Sequence, residues 1–213
     1  VVAPAEQCSA MSQKLTIHGN LPVTKVDFPV EVKAAYKEGG TPVDCVKVAL
    51  QYILDEKPDY VFSGINEGYN VGYDIAYSGT LGAAFEAVMN GIPAIGVSLD
   101  DFHVDADFTA IEKYFGNIFE KLMSERTGKF GVYYNVNFPS IPVKEIKGIR
   151  VGYQGKGRWV REFQEWDVKF YEKYGLTPEV LGQSSNPVLE EGEDLYMMVG
   201  DFKDDPRNNS EAD

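Results

Sequence analysis

Apolar residues along this chain fall into two patterns. Val1 to Ala3, Tyr60 to Phe62, Ile92 to Val97 and Val132 to Val136 are short, nearly continuous apolar runs, the form taken by parallel strands covered on both faces. Between them apolar positions recur at helical spacing. Val43, Val46, Ala49, Leu50, Ile53 and Leu54 line one face, and Phe108, Ile111, Phe115, Ile118, Phe119 and Leu122 line another. Thr41 is a good N-cap, Pro42 suits the first helical position, Asp44 complements the helix dipole, and Pro58 closes the element. A further helix is predicted from about Thr80 to Met89, stopping at Asn90-Gly91. Leu15 to His18 and Phe28 to Val32 are predicted strand pieces around a turn at Gly19-Asn20.

The order β-α-β-α-β-α-β predicts an α/β fold: a Rossmann-like three-layer core with a parallel sheet and helices on both faces. After Pro139 the pattern changes. Ile149 to Tyr153 and Leu195 to Val199 read as strands, and the stretch from Arg158 to Tyr174 mixes aromatic and charged residues with weak periodicity. Residues 1–139 are therefore expected to form the core, and 140–213 a C-terminal extension or arm packed on it.

Composition narrows the function classes. With 33 acidic and 20 basic residues the net charge is −13, which argues against a sequence-independent grip on nucleic acid. No apolar run approaches the roughly 20 residues of a membrane helix. Cys8 and Cys45 show no disulfide or zinc spacing and read as reduced thiols of a cytoplasmic protein. His18 and His103 lie outside every candidate loop. There is no G-x-S-x-G elbow, no GxGxxG and no GxxxxGK[ST], so a serine hydrolase, a dinucleotide enzyme and a P-loop ATPase are all disfavoured. The chain opens on Val1-Val2-Ala3-Pro4 without Met and closes on a polar stretch from Asp204 to Asp213, so both natural ends are expected to lie outside it.

Ligands of open parallel sheets bind beyond the carboxyl ends of the strands. Three segments fall there: Ser9 after the first strand, Ser63-Gly64-Ile65-Asn66 after the strand at Val61-Phe62, and Ser78-Gly79-Thr80 at the start of the second helix. A helix start offers free N–H groups and a favourable dipole to phosphate, and Gly79 permits close backbone approach. The same residues also serve as a plain helix cap. Asn66 and Asn70 flank Gly68, with oxygen for a hard metal and N–H for phosphate, but Asn and Gly equally make turns. Ser9 is a metal-ligand hydroxyl or an ordinary loop serine.

Taken together and in order, the segments resemble the SurE (survival protein E) family. Val1-Val2-Ala3-Pro4 followed by Ser9 is similar to VVAPxxxxS, and Gly40 to Val46 to GTPxDCV. Pro58 to Gly72 is similar to PDxVxSGINxGxNxG, Tyr77 to Ala84 to YSGTxxAA, and Asn135 to Pro139 to NxNxP. The resemblance implies a phosphomonoesterase that hydrolyses nucleoside 5′- or 3′-monophosphates with Mg²⁺ or Mn²⁺, and a homo-oligomer, dimer or tetramer. It places Ser9 and Asn66 on the metal, and Asn70, Ser78, Gly79 and Thr80 around the phosphate. Its catalytic carboxylates, an NDDG pair, are expected upstream of Val1. Ala10 stands where the family usually has glycine. The alternative is a non-catalytic nucleotide- or phosphate-binding module without those carboxylates.

Overall fold

A computed structural model of the chain describes residues 1–103, 105–124, 132–175, 177–181 and 183–204. Strands β1 (Val2–Pro4), β2 (Val23–Val26) and β3 (Ala35–Glu38) form one sheet in the order β1-β3-β2, with β1 parallel and β2 antiparallel to β3. Helix α1 (Pro42–Val48) follows β3 and continues as a π-helical turn at Ala49–Ile53. Its start is a capping box. Thr41 Oγ1 accepts the Asp44 N–H at 3.2 Å, and the Asp44 carboxylate accepts the Thr41 N–H at 3.0 Å.

The second sheet is wholly parallel and holds β4 (Val61–Glu67), β5 (Ala94–Leu99) and β6 (Tyr134–Phe138) in that order. Helix α2 (Gly79–Met89) joins β4 to β5, and α3 (Thr109–Ser124) joins β5 to β6. The period-2 alternation of β5 divides the core. Ile95, Val97 and Leu99 pack with Ala110, Ile111 and Ile118 of α3. Ala94 packs with Ala84, Ala87 and Val88 of α2. Gly96 lies under α2, where an added Cβ would come within 2.6 Å of Leu81 Cδ2. Helices thus cover both faces, the three-layer Rossmann-like arrangement expected. Lys47 of α1 donates to the buried Glu86 of α2 at 2.8 Å and ties the two helices together.

Several local expectations change. Residues 15–18 and 28–32 are irregular, and the strands there are β2 and β3 instead. The reason lies in long-range contacts: Thr16 gives its N–H and hydroxyl to Asp44, while Ile17 and Val30 face solvent. β4 is less covered than its apolar run suggests, with Phe62 half exposed. Residues 149–153 form no strand, because Ile149 and Val151 point outward and pair with nothing that would make a ladder.

Beyond β6 the chain forms two antiparallel pairs: β7 (Arg158–Val160) with β10 (Asp201–Lys203), and β8 (Phe163–Glu165) with β9 (Tyr196–Met198). β9 falls within the stretch expected from Leu195 to Val199. This part meets the core at the 3₁₀ turn Gly72–Ala76, where the Tyr73 N–H bonds Gly157 O at 2.8 Å and Gln154 Nε2 bonds Gly72 O at 3.2 Å. The polar terminal stretch from 205 onward lies outside the described residues. Among the described residues no helix is long and apolar enough to cross a membrane.

Candidate metal and phosphate site

The N-terminus of α2 is where the separate loops meet. Ser78 is its N-cap, and its Oγ accepts the Leu81 N–H at 3.1 Å. The cap reading of Ser78 is therefore correct as far as it goes. The first-turn N–H groups of a helix, here those of Gly79 and Thr80, have no acceptor within the helix itself. Gly79 is buried in a narrow place: an added Cβ would stand 3.1 Å from Pro42 Cγ and 3.3 Å from the Cys8 carbonyl oxygen. The start of α2 therefore abuts both the start of α1 and the loop that carries Ser9. That loop is also held to the turn before α2. The Ser12 N–H bonds Tyr77 O at 2.8 Å, and Ser12 Oγ donates to Ala76 O at 2.7 Å. Ser9 itself is exposed beside these contacts.

Asn66 enters from the other side, at the end of β4. Its Oδ1 accepts the Thr80 hydroxyl at 3.2 Å, and its Nδ2 donates to Gly68 O at 2.8 Å. The amide is thereby oriented with oxygen toward α2 and nitrogen toward its own loop. Strand register places Asn66, Ser98 and Asn137 in one row across the sheet. Asn70 is buried against that row. Its Nδ2 donates to Ser98 Oγ at 2.7 Å, its N–H to Asn137 Oδ1 at 2.9 Å, and its carbonyl accepts Asn135 Nδ2 at 2.8 Å. The loop from Asn66 to Asn70 is thus pinned to β5 and β6 by side chains.

The Ser98, Asn135 and Asn137 contacts were not assigned from sequence. The available signal was polarity out of place: a serine in the apolar run of β5, and two asparagines at period 2 in β6. Asp100 and Asp101 continue β5 at the same edge. Burial, then its neighbour Asp101, raises the Asp100 carboxyl, whereas hydrogen bonds from His103 and Ser140 hold Asp101 at about 2. His103, placed by sequence outside the candidate loops, is exposed on this edge and its ring bonds Asp101 at 2.6 Å. The two thiols take no part. Burial, then the bond to Glu38, pushes Cys45 far up, and burial, then the Glu38 charge, raises Cys8, so neither is a ready nucleophile.

Ser9 and Asn66 offer neutral hard oxygens, the donor type that suits Mg²⁺ or Mn²⁺. Among the described residues no group of three or more His, Cys, Asp or Glu side chains is placed to hold a metal ion.

Residues 1–161 match the family model for survival protein SurE. The chain belongs to the SurE family. The SurE 5′-nucleotidase of Flavobacterium johnsoniae is 41% identical over 174 residues, which is 82% of this chain and 67% of the relative. The SurE 5′-nucleotidase of Christiangramia forsetii is 38% identical over 206 residues, covering 93% of this chain and 78% of the relative. Among solved structures, the SurE protein of Aquifex aeolicus superposes with a TM-score of 0.65 at 32% identity, over 93% of this chain and 70% of that one. The SurE match runs from β1 through β7.

Proposed function

We propose that this chain is the greater part of a divalent-metal-dependent nucleotidase that hydrolyses nucleoside 5′- or 3′-monophosphates to nucleoside and phosphate. The observation that carries it is the meeting of three loops at one helix N-terminus: Thr80 of α2 bonds Asn66, and Gly79 of α2 faces the carbonyl beside Ser9. The nearness to proteins named 5′-nucleotidase supports the substrate class. Ser9 and Asn66 would hold Mg²⁺ or Mn²⁺ together with carboxylates expected upstream of Val1. When bound, such an ion supplies Lewis-acid polarisation of the phosphate and a water of lowered pKa.

The chain's own residues supply orientation. Gly79 and Thr80 N–H groups and the α2 dipole receive the phosphate oxygens. The Thr80 hydroxyl fixes which end of the Asn66 amide faces the site. Asn70 gives one amide hydrogen to Ser98 and keeps a second, which we assign to the phosphate. Ser78 holds the helix start in register through its cap. Free thiols suit a reducing, cytoplasmic setting, and apolar side chains exposed on β8 and β9 suit a homo-oligomer.

The test is phosphate release from nucleoside monophosphates by the protein with its upstream segment, with and without excess EDTA. Release that depends on Mg²⁺ or Mn²⁺ is expected. Equal release in EDTA overturns the metal assignment, and nucleotide binding without turnover favours the non-catalytic module.

A further inference from the structure

Strand β5 is buried along its whole length, yet three residues past its end Phe102 is 75% exposed, more than any other phenylalanine among the described residues. This exposure is not slack chain. The Asp100 N–H bonds Phe138 O at 2.9 Å and the Asp101 N–H bonds Leu99 O at 2.8 Å. The Asp101 carboxylate accepts the His103 N–H at 3.0 Å and the Ser140 hydroxyl at 2.8 Å. Backbone on both sides of Phe102 is therefore fixed while its ring stays in solvent.

The tip of that ring rests on Gly68, midway between Asn66 and Asn70. Any side chain at Gly68 would collide with the ring, and Gly68 has φ +95°, so glycine satisfies both the turn and the contact. The same residue is tied to the site: its N–H bonds Leu99 O at 2.7 Å and its carbonyl accepts Asn66 Nδ2 at 2.8 Å. An exposed aromatic ring thus touches Gly68, the residue that stands in sequence two from the proposed metal ligand and two from the proposed phosphate donor.

We propose that Phe102 is the platform on which the nucleobase of the substrate stacks, making it a specificity-determining residue. The inference rests on the nucleotidase reading. A nucleotide anchored by its phosphate at the start of α2 must leave its base toward the rim, and every base has a π-face that an aromatic ring can take. Stacking of this kind tolerates all bases, so the expected preference is for a base over none rather than for one base. Tyr77, 61% exposed beside Ser78, is the rival ring.

The experiment compares kcat/KM for adenosine 5′-monophosphate and for ribose 5-phosphate, which has no base, in the protein with its upstream segment. Phe102→Ala is expected to lower the ratio of the two about 10-fold, chiefly through KM, and Phe102→Trp to restore it. Tyr77→Ala is expected to leave the ratio in place. The proposal is overturned by equal loss on both substrates, which would make Phe102 a mere prop for the loop. It is overturned as well by no loss on either, or by a ratio that follows Tyr77 instead. A wild-type protein that releases phosphate from neither substrate would sink the nucleotidase reading itself, a result distinct from all of these.

Discussion

Asp44 shows how much one side chain can hold. Its carboxylate is buried and accepts four hydrogen bonds, from the N–H and hydroxyl of Thr41 and of Thr16. Burial alone would raise its pKa, but these bonds outweigh burial and keep it below the ordinary value. Asp44→Ala should cost about 2–3 kcal/mol in denaturant unfolding, since it strands buried donors. The depressed folded pKa means that this contribution is complete above the unfolded value, about pH 4, and is lost as pH falls further. Wild-type stability should therefore drop more steeply on acidification than that of the variant. Ala10 is the opposite case. It has φ +55°, in the left-handed region that favours glycine. Ala10→Gly should relieve about 1–2 kcal/mol of backbone strain and return about 0.4–1 kcal/mol as chain entropy, for a net gain between about 0 and 1.6 kcal/mol in the same assay. The Thr41 cap and the first-turn place of Asp44 were legible in sequence because helix starts are local, whereas the bonds from Thr16 were not. The Ser98 and Asn137 contacts were not, because they acquire meaning only when β4, β5 and β6 are in register.

Among the elements, α2 was readable at both ends, since Ser78 and Asn90-Gly91 act within one turn of the helix. The segment from 15 to 32 was not, because its backbone answers to Asp44 and to β3 rather than to its own periodicity. The same distinction separates what α2 does as a helix from what it does as a junction. Its N-terminus is wedged between Pro42 and the Cys8 carbonyl: a Cβ added at Gly79 would stand 3.1 and 3.3 Å from them, closer than ordinary van der Waals contact. A β-branched side chain has no room to give there without moving α1 or the Ser9 loop. Gly79→Val should lower phosphate release by about 100-fold or more, in line with the loss of positioned donors, while circular dichroism still reports helix. Release within a few-fold of wild type would remove this turn from the anion site.

For the molecule as a whole, the segment beyond β6 leaves an apolar face in solvent. In the β8–β9 pair, Met197 is buried at 2% exposure, whereas Phe163 and its cross-strand partner Met198 stand outward at 66% and 59%, with Tyr196 at 58% on the same face. A two-stranded pair with Met197 buried on one side and apolar side chains exposed on the other is incomplete unless that second side is covered. Sequence showed the aromatic richness of this region but not its sidedness, because three-residue strands give too little alternation to read. A second copy of the chain is the covering we expect. At a net charge of −13 two copies repel, so an interface that forms must be driven by apolar burial rather than by ion pairs. That has a signature in salt: screening weakens repulsion between the copies and leaves apolar contact intact. Light scattering at micromolar concentration should give at least a dimer, and its population should hold or rise between about 0.05 and 0.5 M NaCl, where the screening length shortens several-fold. Phe163→Glu and Met198→Glu should shift the population toward monomer with little change in unfolding midpoint, since both side chains are already in solvent within one chain. A monomer at every salt concentration, or a dimer that salt dissolves, would show that the outward face of β8 and β9 is not what joins the copies.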